Sequence, residues 1–389
     1  MTTTAPLHSP SAPLPIRPPG FWRGLAQIAA LELRQRLRSR TLWVLAIIWF
    51  CIIGAVTGAM WFILSLSSST YDEGFDAYPL FSIIVYFVLL FGTLVAPAIS
   101  AGSISSERSG GTLATTQVTL VGTWSILLGK ALAAWVTGLA FLVVAAPFVI
   151  LSLALARTSP LQLLTAILAL ALQIGVFTAF GVGLSAMISS PLFAIVTAYL
   201  LVALLSIGTL IGFGLTVGVG TRYVEVKYQT FSDTYWDAYS ACTGTEEEML
   251  RCQQQVPIDC VTQTTTSAVT PTDRAWWILA LNPYVILGDM VSMRDTADRG
   301  PEDLFGMVSY GVRSLQKDVG APGGYDDCPA RPPYTAEPEA GPQDQLAGTI
   351  PVWWIGLGLQ FLIAGGLLWG GFRRLDTPAA KLPKGSRVA

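Results

Sequence analysis

Apolar and polar positions along this chain fall into long blocks rather than alternating residue by residue. Six blocks, 42–66, 80–102, 125–155, 161–188, 192–217 and 349–372, are apolar throughout and hold a single charged residue, Lys130. Each reaches or exceeds the roughly 20 residues a helix needs to cross a hydrocarbon layer about 30 Å thick. The pattern predicts six transmembrane helices. Ahead of the first block, Leu25, Ala29, Leu33 and Leu37 repeat every fourth residue while Arg23, Arg34, Arg36 and Arg38 take other faces. That spacing predicts an amphipathic helix over 21–40, lying on the membrane surface. A further apolar stretch, 276–293, is broken by Asn282-Pro283 and again by Asp289. It reads as a pair of short helices lying in, or re-entering, the outer leaflet, where broken backbone is tolerated against protein or water. Over 301–317, Leu304, Val308, Val312 and Leu315 share one face of another amphipathic helix.

Orientation follows from the bases that flank the blocks. Residues 1–40 carry Arg17, Arg23, Arg34, Arg36, Arg38 and Arg40 against Glu32 alone, and the tail 373–389 carries Arg373, Arg374, Lys381, Lys384 and Arg387 against Asp376. The loop after the first block holds Asp72, Glu73 and Asp76 and no base. Both termini are therefore expected in the cytoplasm, as an even number of spans requires. The domains expected are a disordered, proline-rich tail (1–20), the interfacial helix (21–40), five spans (41–217) with a cytoplasmic loop (103–124), an extracytoplasmic segment (218–348), the sixth span (349–372) and a basic tail (373–389). Cys242, Cys252, Cys260 and Cys328 all fall in the outer segment, which suggests two disulfides with three possible connectivities. A metal site is the rival reading, but no CxxC pair or nearby His supports it. Cys51, inside the first block, is read as a small buried hydrophobe. The expected fold is an all-α polytopic membrane protein with a disulfide-bearing extracytoplasmic segment between helices 5 and 6.

Composition narrows the function. Of 389 residues, 52% are hydrophobic and 12% charged, about half the charged fraction of roughly 25% usual in soluble domains. A soluble enzyme and a disordered chain are both excluded, and a net charge of −2 gives no field for nucleic acid. His8, the one histidine, sits in the proline-rich tail. No His-based triad, HExxH motif or His-ligated metal can be built. Around Gly122–Lys130 the glycine spacing and the missing Ser/Thr after the Lys exclude a phosphate loop. The apolar blocks hold no Asp, Glu or His, the residues on which ion-coupled carriers depend. Energy for any transport must then come from another chain. Asp289, Asp295 and Asp298 form the one cluster an intramembrane enzyme would have to use. Only five of the 23 bases are Lys and Asn282 is the sole Asn, which suggests a GC-rich, bacterial genome.

Between the second and third blocks runs Ser105-Ser106-Glu107-Arg108-Ser109-Gly110-Gly111-Thr112-Leu113-Ala114, followed later by Gly129-Lys130. This loop resembles that of permease subunits of ABC-2 type transporters: an acid–base pair, Gly-Thr-Leu, a short coupling helix, and Gly-Lys opening the third span. Glu107, Arg108, Gly111, Thr112, Leu113, Gly129 and Lys130 match, and Thr116 lies within the would-be coupling helix. Ala114 departs from the acid common in the family, and no proline follows the helix. In layout the resemblance covers about 21–374, the Asn282-Pro283 element included. It implies a dimer of permeases, a second copy or a paralogue, each seated on a separate ATP-binding subunit. ATP and Mg would reside on that partner, and this chain would bind no cofactor and catalyse no reaction. Export across the bacterial plasma membrane is the family expectation, with membrane lipid as the surroundings. The alternative is a multi-pass receptor or sensor using the outer segment as its ligand domain.

Overall fold

Backbone amides in hydrocarbon have no partner but their own helix, so long apolar blocks fold as continuous helices. The computed structural model describes residues 20–71, 78–110, 122–156, 159–292, 303–317, 328 and 346–376. Six helices among these are long and apolar enough to cross a membrane: Arg40–Leu66, Pro79–Ser109, Thr123–Ala156, Pro160–Met187, Pro191–Gly220 and Trp353–Leu375. Each begins and ends close to one of the apolar blocks.

In chain order, α1 (Phe21–Leu37) leads into α2 (Arg40–Tyr71) through a sharp turn. The Trp43 indole donates to the Leu37 carbonyl at 3.0 Å and closes that corner. Then follow α3 (Tyr78–Ser100), the single turn α4 (Ser105–Ser109), α5 (Thr123–Ala156) and α6 (Pro160–Met187). Ser159 caps α6 by accepting from the Gln162 amide, with Pro160 pre-set at the first helical position. The fifth span is interrupted: α7 (Pro191–Ala203) passes through a π turn (Leu204–Gly208) into α8 (Thr209–Gly220).

A lobe comes next: β1 (Arg222–Phe231), α9 (Asp233–Ser240), α10 (Glu246–Gln255) and β2 (Cys260–Val269). The chain returns to the bundle as α11 (Trp276–Ala280), α12 (Pro283–Val291), α13 (Leu304–Ser314) and the last span α14 (Trp353–Leu375).

The main core joins α2, α3, α5 and α6. Trp49 stacks on Phe91 at 3.6 Å and donates its indole N–H to the Phe141 carbonyl at 3.1 Å. Leu287 and Val291 of α12 and Phe305 of α13 belong to the same buried cluster. Large apolar side chains on the outer faces, such as Ile47 (62% exposed) and Val143 (70%), are largely uncovered by the described residues and suit lipid. Span six lies along α6, and its closest approach needs glycine. A Cβ on Gly183 would stand 2.8 Å from the Leu367 Cβ and 2.9 Å from its carbonyl carbon.

Two expectations need amending. The protein is not all-α, because β1 and β2 pair antiparallel from Arg222↔Val269 to Phe231↔Cys260. Their β-branched and aromatic residues (Val224, Val226, Tyr228 and a Thr-rich partner strand) favour extended backbone. Cys51 is exposed rather than buried, on a face of α2 turned away from the bundle. The cysteine pairing, left open by sequence, is Cys242–Cys252 and Cys260–Cys328, with Cα separations of 5.7 and 5.8 Å. On 301–317 the face read from the spacing does pack inward, with Val312 buried beside Leu279, Val285 and Val352 and with Val308 and Leu315 against them, while Phe305 and Ser309 extend the buried side. Asp295, Asp298, His8 and the tails 1–19 and 377–389 lie outside the described residues.

Candidate functional site

At the end of the bundle where α1 meets α4 and α5, three charged side chains converge. Lys130, on the first turns of α5, is only 2% exposed. Its Nζ donates to Glu107 Oε1 of α4 at 2.7 Å and to Glu32 Oε1 of α1. Arg36, one turn after Glu32, adds a looser ion pair at 3.7 Å and donates to the Ile99 carbonyl at 3.2 Å. A buried ammonium costs several kcal/mol to desolvate, so it persists only where carboxylates surround it. Gly129 explains the neighbouring position: a Cβ there would lie 2.9 Å from the Ile28 Cβ and 3.1 Å from the Leu25 carbonyl oxygen. The Gly-Lys pair thus admits the α1 backbone and then binds it through Glu32.

The acid–base pair of the loop points two ways. Glu107 turns to Lys130, whereas Arg108 donates to the Ala186 carbonyl in the last turn of α6 at 3.3 Å, where the helix dipole is negative. Ser185 receives both the Ile104 and Ser105 amides on its Oγ, each at 3.0 Å. The turn α4 is therefore tied to α1, α5 and α6 together. Gly111, Thr112, Leu113 and Thr116, which follow directly, lie outside the described residues.

At the opposite end, Asn282 caps α12 by accepting from the Tyr284 amide, ahead of Pro283. Its Nδ2 donates to the Ser206 carbonyl at 2.6 Å and to Thr209 Oγ1 at 3.0 Å. Ser206 sits in the π turn of the fifth span, where widened backbone leaves a carbonyl for an outside donor. Gln360 of α14 donates to the Leu281 carbonyl at 3.0 Å, beside that break. Asp289 is fully engaged. One oxygen accepts from Ser309 (2.7 Å) and Arg313 (2.8 Å), the other from the Val352 (2.6 Å) and Trp353 (3.0 Å) amides that open α14. A carboxylate with four donors at a helix start is an anchor, not a reactive acid. Among the described residues no group of three or more His, Cys, Asp or Glu is placed to hold a metal.

A family model described as ABC-2 family transporter protein matches residues 26–276, well over half of the chain. The chain belongs to the ABC-2 transporter family. No curated protein matches it. In this ABC-2 permease the matched stretch runs from within α1 to the start of α11, so it contains Glu32, Glu107 and Lys130 and five of the six spans. Asn282, Asp289 and α14 lie beyond it. Glu32 and Ser185 are the site residues that sequence reasoning missed. Glu32 had a signal: it is the one acid in residues 1–40, and Lys130 the one base in the apolar blocks. Ser185 had none, being one hydroxyl in a long apolar run.

Proposed function

We propose that this ABC-2 permease is the membrane-spanning subunit of an ATP-driven exporter, working as a dimer of permeases on separate ATP-binding subunits. Both termini face the cytoplasm, as the flanking arginines favour, and the lobe faces outward. ATP and Mg act on the partner. The observation that carries this reading is the Glu32–Lys130–Glu107 cluster together with the Ser185 clasp on α4. Residues 111–121 begin at the end of α4, so a partner pulling on that loop pulls on α1, α5 and α6 at once. Such a linkage suits a rigid-body switch between two states, biased by nucleotide bound to another chain. Asn282, Pro283 and Asp289 brace the outward end of the fifth and sixth spans during that movement.

The first experiment is affinity purification of the tagged protein from its host in mild detergent, with partners identified by mass spectrometry and ATP turnover assayed on the eluate. A stoichiometric ATP-binding subunit, lost when residues 107–120 are scrambled, supports the reading; a protein that elutes alone contradicts it. Glu107→Lys sets a second cation against Lys130 and is expected to uncouple ATP turnover from transport in protein that still inserts. Unchanged coupled activity in that variant would sink the role given to Glu107.

A further inference from the structure

The apolar stripe of α1 is only half used. Ala29 is buried and Ile28 packs over Gly129, but of the next two steps of the stripe Leu33 is only half-buried and Leu37 is 63% exposed. They line a half-open cavity of about 320 Å³ between α1, α2 and α5, whose other walls include Ala46, Ala140 and Val144. That volume falls in the roughly 300–1,000 Å³ range of small-molecule sites. Its surface is almost wholly apolar, with Arg36 as the charged member. Water would find few partners there, and an empty void would forfeit the packing its walls could make.

Charge says what belongs at its mouth. Arg38 and Arg40 bracket the α1–α2 corner, on either side of Leu37 and Leu42, which both line the cavity. Both are exposed and form no ion pair among the described residues. Trp43, 61% exposed at the same corner, is the residue type that anchors at a bilayer interface. An apolar slot beneath exposed guanidinium groups, at the charged end of a membrane bundle, matches one chemistry: an acyl chain below an anionic headgroup.

We propose that this cavity holds one acyl chain of an anionic phospholipid from the leaflet nearest α1, with its phosphate at Arg38 and Arg40. The site is separate from the loop at 111–121 and does not rest on the transport reading. A lipid seated there completes the apolar face of α1 and holds the helix that carries Glu32.

The test is native mass spectrometry of the full chain, loaded with either phosphatidylglycerol or phosphatidylcholine bearing identical chains. One phosphatidylglycerol is expected to survive gas-phase activation that strips phosphatidylcholine. Ala140→Trp, from an exposed position facing the slot, and Ala46→Phe, from the opposite wall, should each remove that lipid. Ile150→Trp, exposed on the same helix but beyond Val144, the last lining residue, should leave it bound. Replacing Arg38 and Arg40 with Gln should lower the preference for phosphatidylglycerol by roughly fivefold per arginine. Equal retention of the two lipids by the native protein overturns the proposal. So does a lipid that persists in both plugged variants, or one lost equally from the Ile150→Trp control.

Discussion

Lys130 shows how one residue's cost reveals its partners. Burying an ammonium at 2% exposure is stable here because Glu32 and Glu107 both reach it. Lys130→Met leaves two carboxylates facing each other with only the looser Arg36 contact on Glu32, and should destabilise the protein by about 3 kcal/mol. Adding Glu32→Gln and Glu107→Gln to that variant removes the repulsion and should recover much of the loss. Thermal unfolding in detergent reads both, and a triple variant no more stable than the single would refute the cluster's account. Asp289 is argued alike. Asp289→Ala strips the acceptor from Arg313 and from the Val352 and Trp353 amides, and should cost about 3 kcal/mol in the same assay. At this scale the oddity of each residue was legible: a lone base in apolar blocks, an acid interrupting an apolar run. Their partners were not, because Lys130 and Glu32 are 98 positions apart and Asp289 and Val352 are 63 apart.

Elements meet where their backbones are imperfect. The π turn of the fifth span leaves the Ser206 carbonyl to Asn282, which also starts α12. Asn282→Ala removes the cap and both donors, for an expected loss of about 2–3 kcal/mol. Asn282→Ser restores a cap without the donated pair and should regain about 1 kcal/mol of that. Equal stability of the two variants would show that capping contributes nothing here. The break at Asn282-Pro283 was written in the sequence, since proline cannot continue a helix from the preceding turn. The π turn was not, because Leu204–Gly208 is as apolar as its surroundings and its register is set by what packs against it. The ribbon β1–β2 stood between these cases. Alternation at Val224, Val226 and Tyr228 was visible, yet short beside the apolar blocks that dominate the chain.

For the whole molecule, the lobe depends on covalent closure more than on its own core, which centres on Tyr235, Cys242 and Val256. The Cys260–Cys328 bond closes a separation of 68 residues and the Cys242–Cys252 bond one of 10. In the chain-entropy account these constrain the unfolded state by about 4 and about 3 kcal/mol respectively. Replacing Cys260 and Cys328 with Ser should therefore open the lobe to limited proteolysis at a lower temperature than replacing Cys242 and Cys252. The six-helix body should resist equally in both. The reverse order would mean that packing, not loop closure, governs the lobe. The stretch matched by the ABC-2 transporter family, 26–276, takes in the lobe together with five of the spans.

The sequence by itself determined the number of spans, the helix ahead of them, the break at Asn282 and the presence of paired cysteines. Each of these follows from neighbours along the chain: hydrocarbon demands unbroken apolar helices, and proline or charge interrupts them locally. Tertiary structure alone decided which acids meet Lys130, which cysteines join, what Asn282 and Asp289 hold, and that half of the α1 stripe faces open space. Those outcomes depend on surfaces brought together from distant positions, and a one-dimensional pattern records that a residue needs a partner without recording which one arrives.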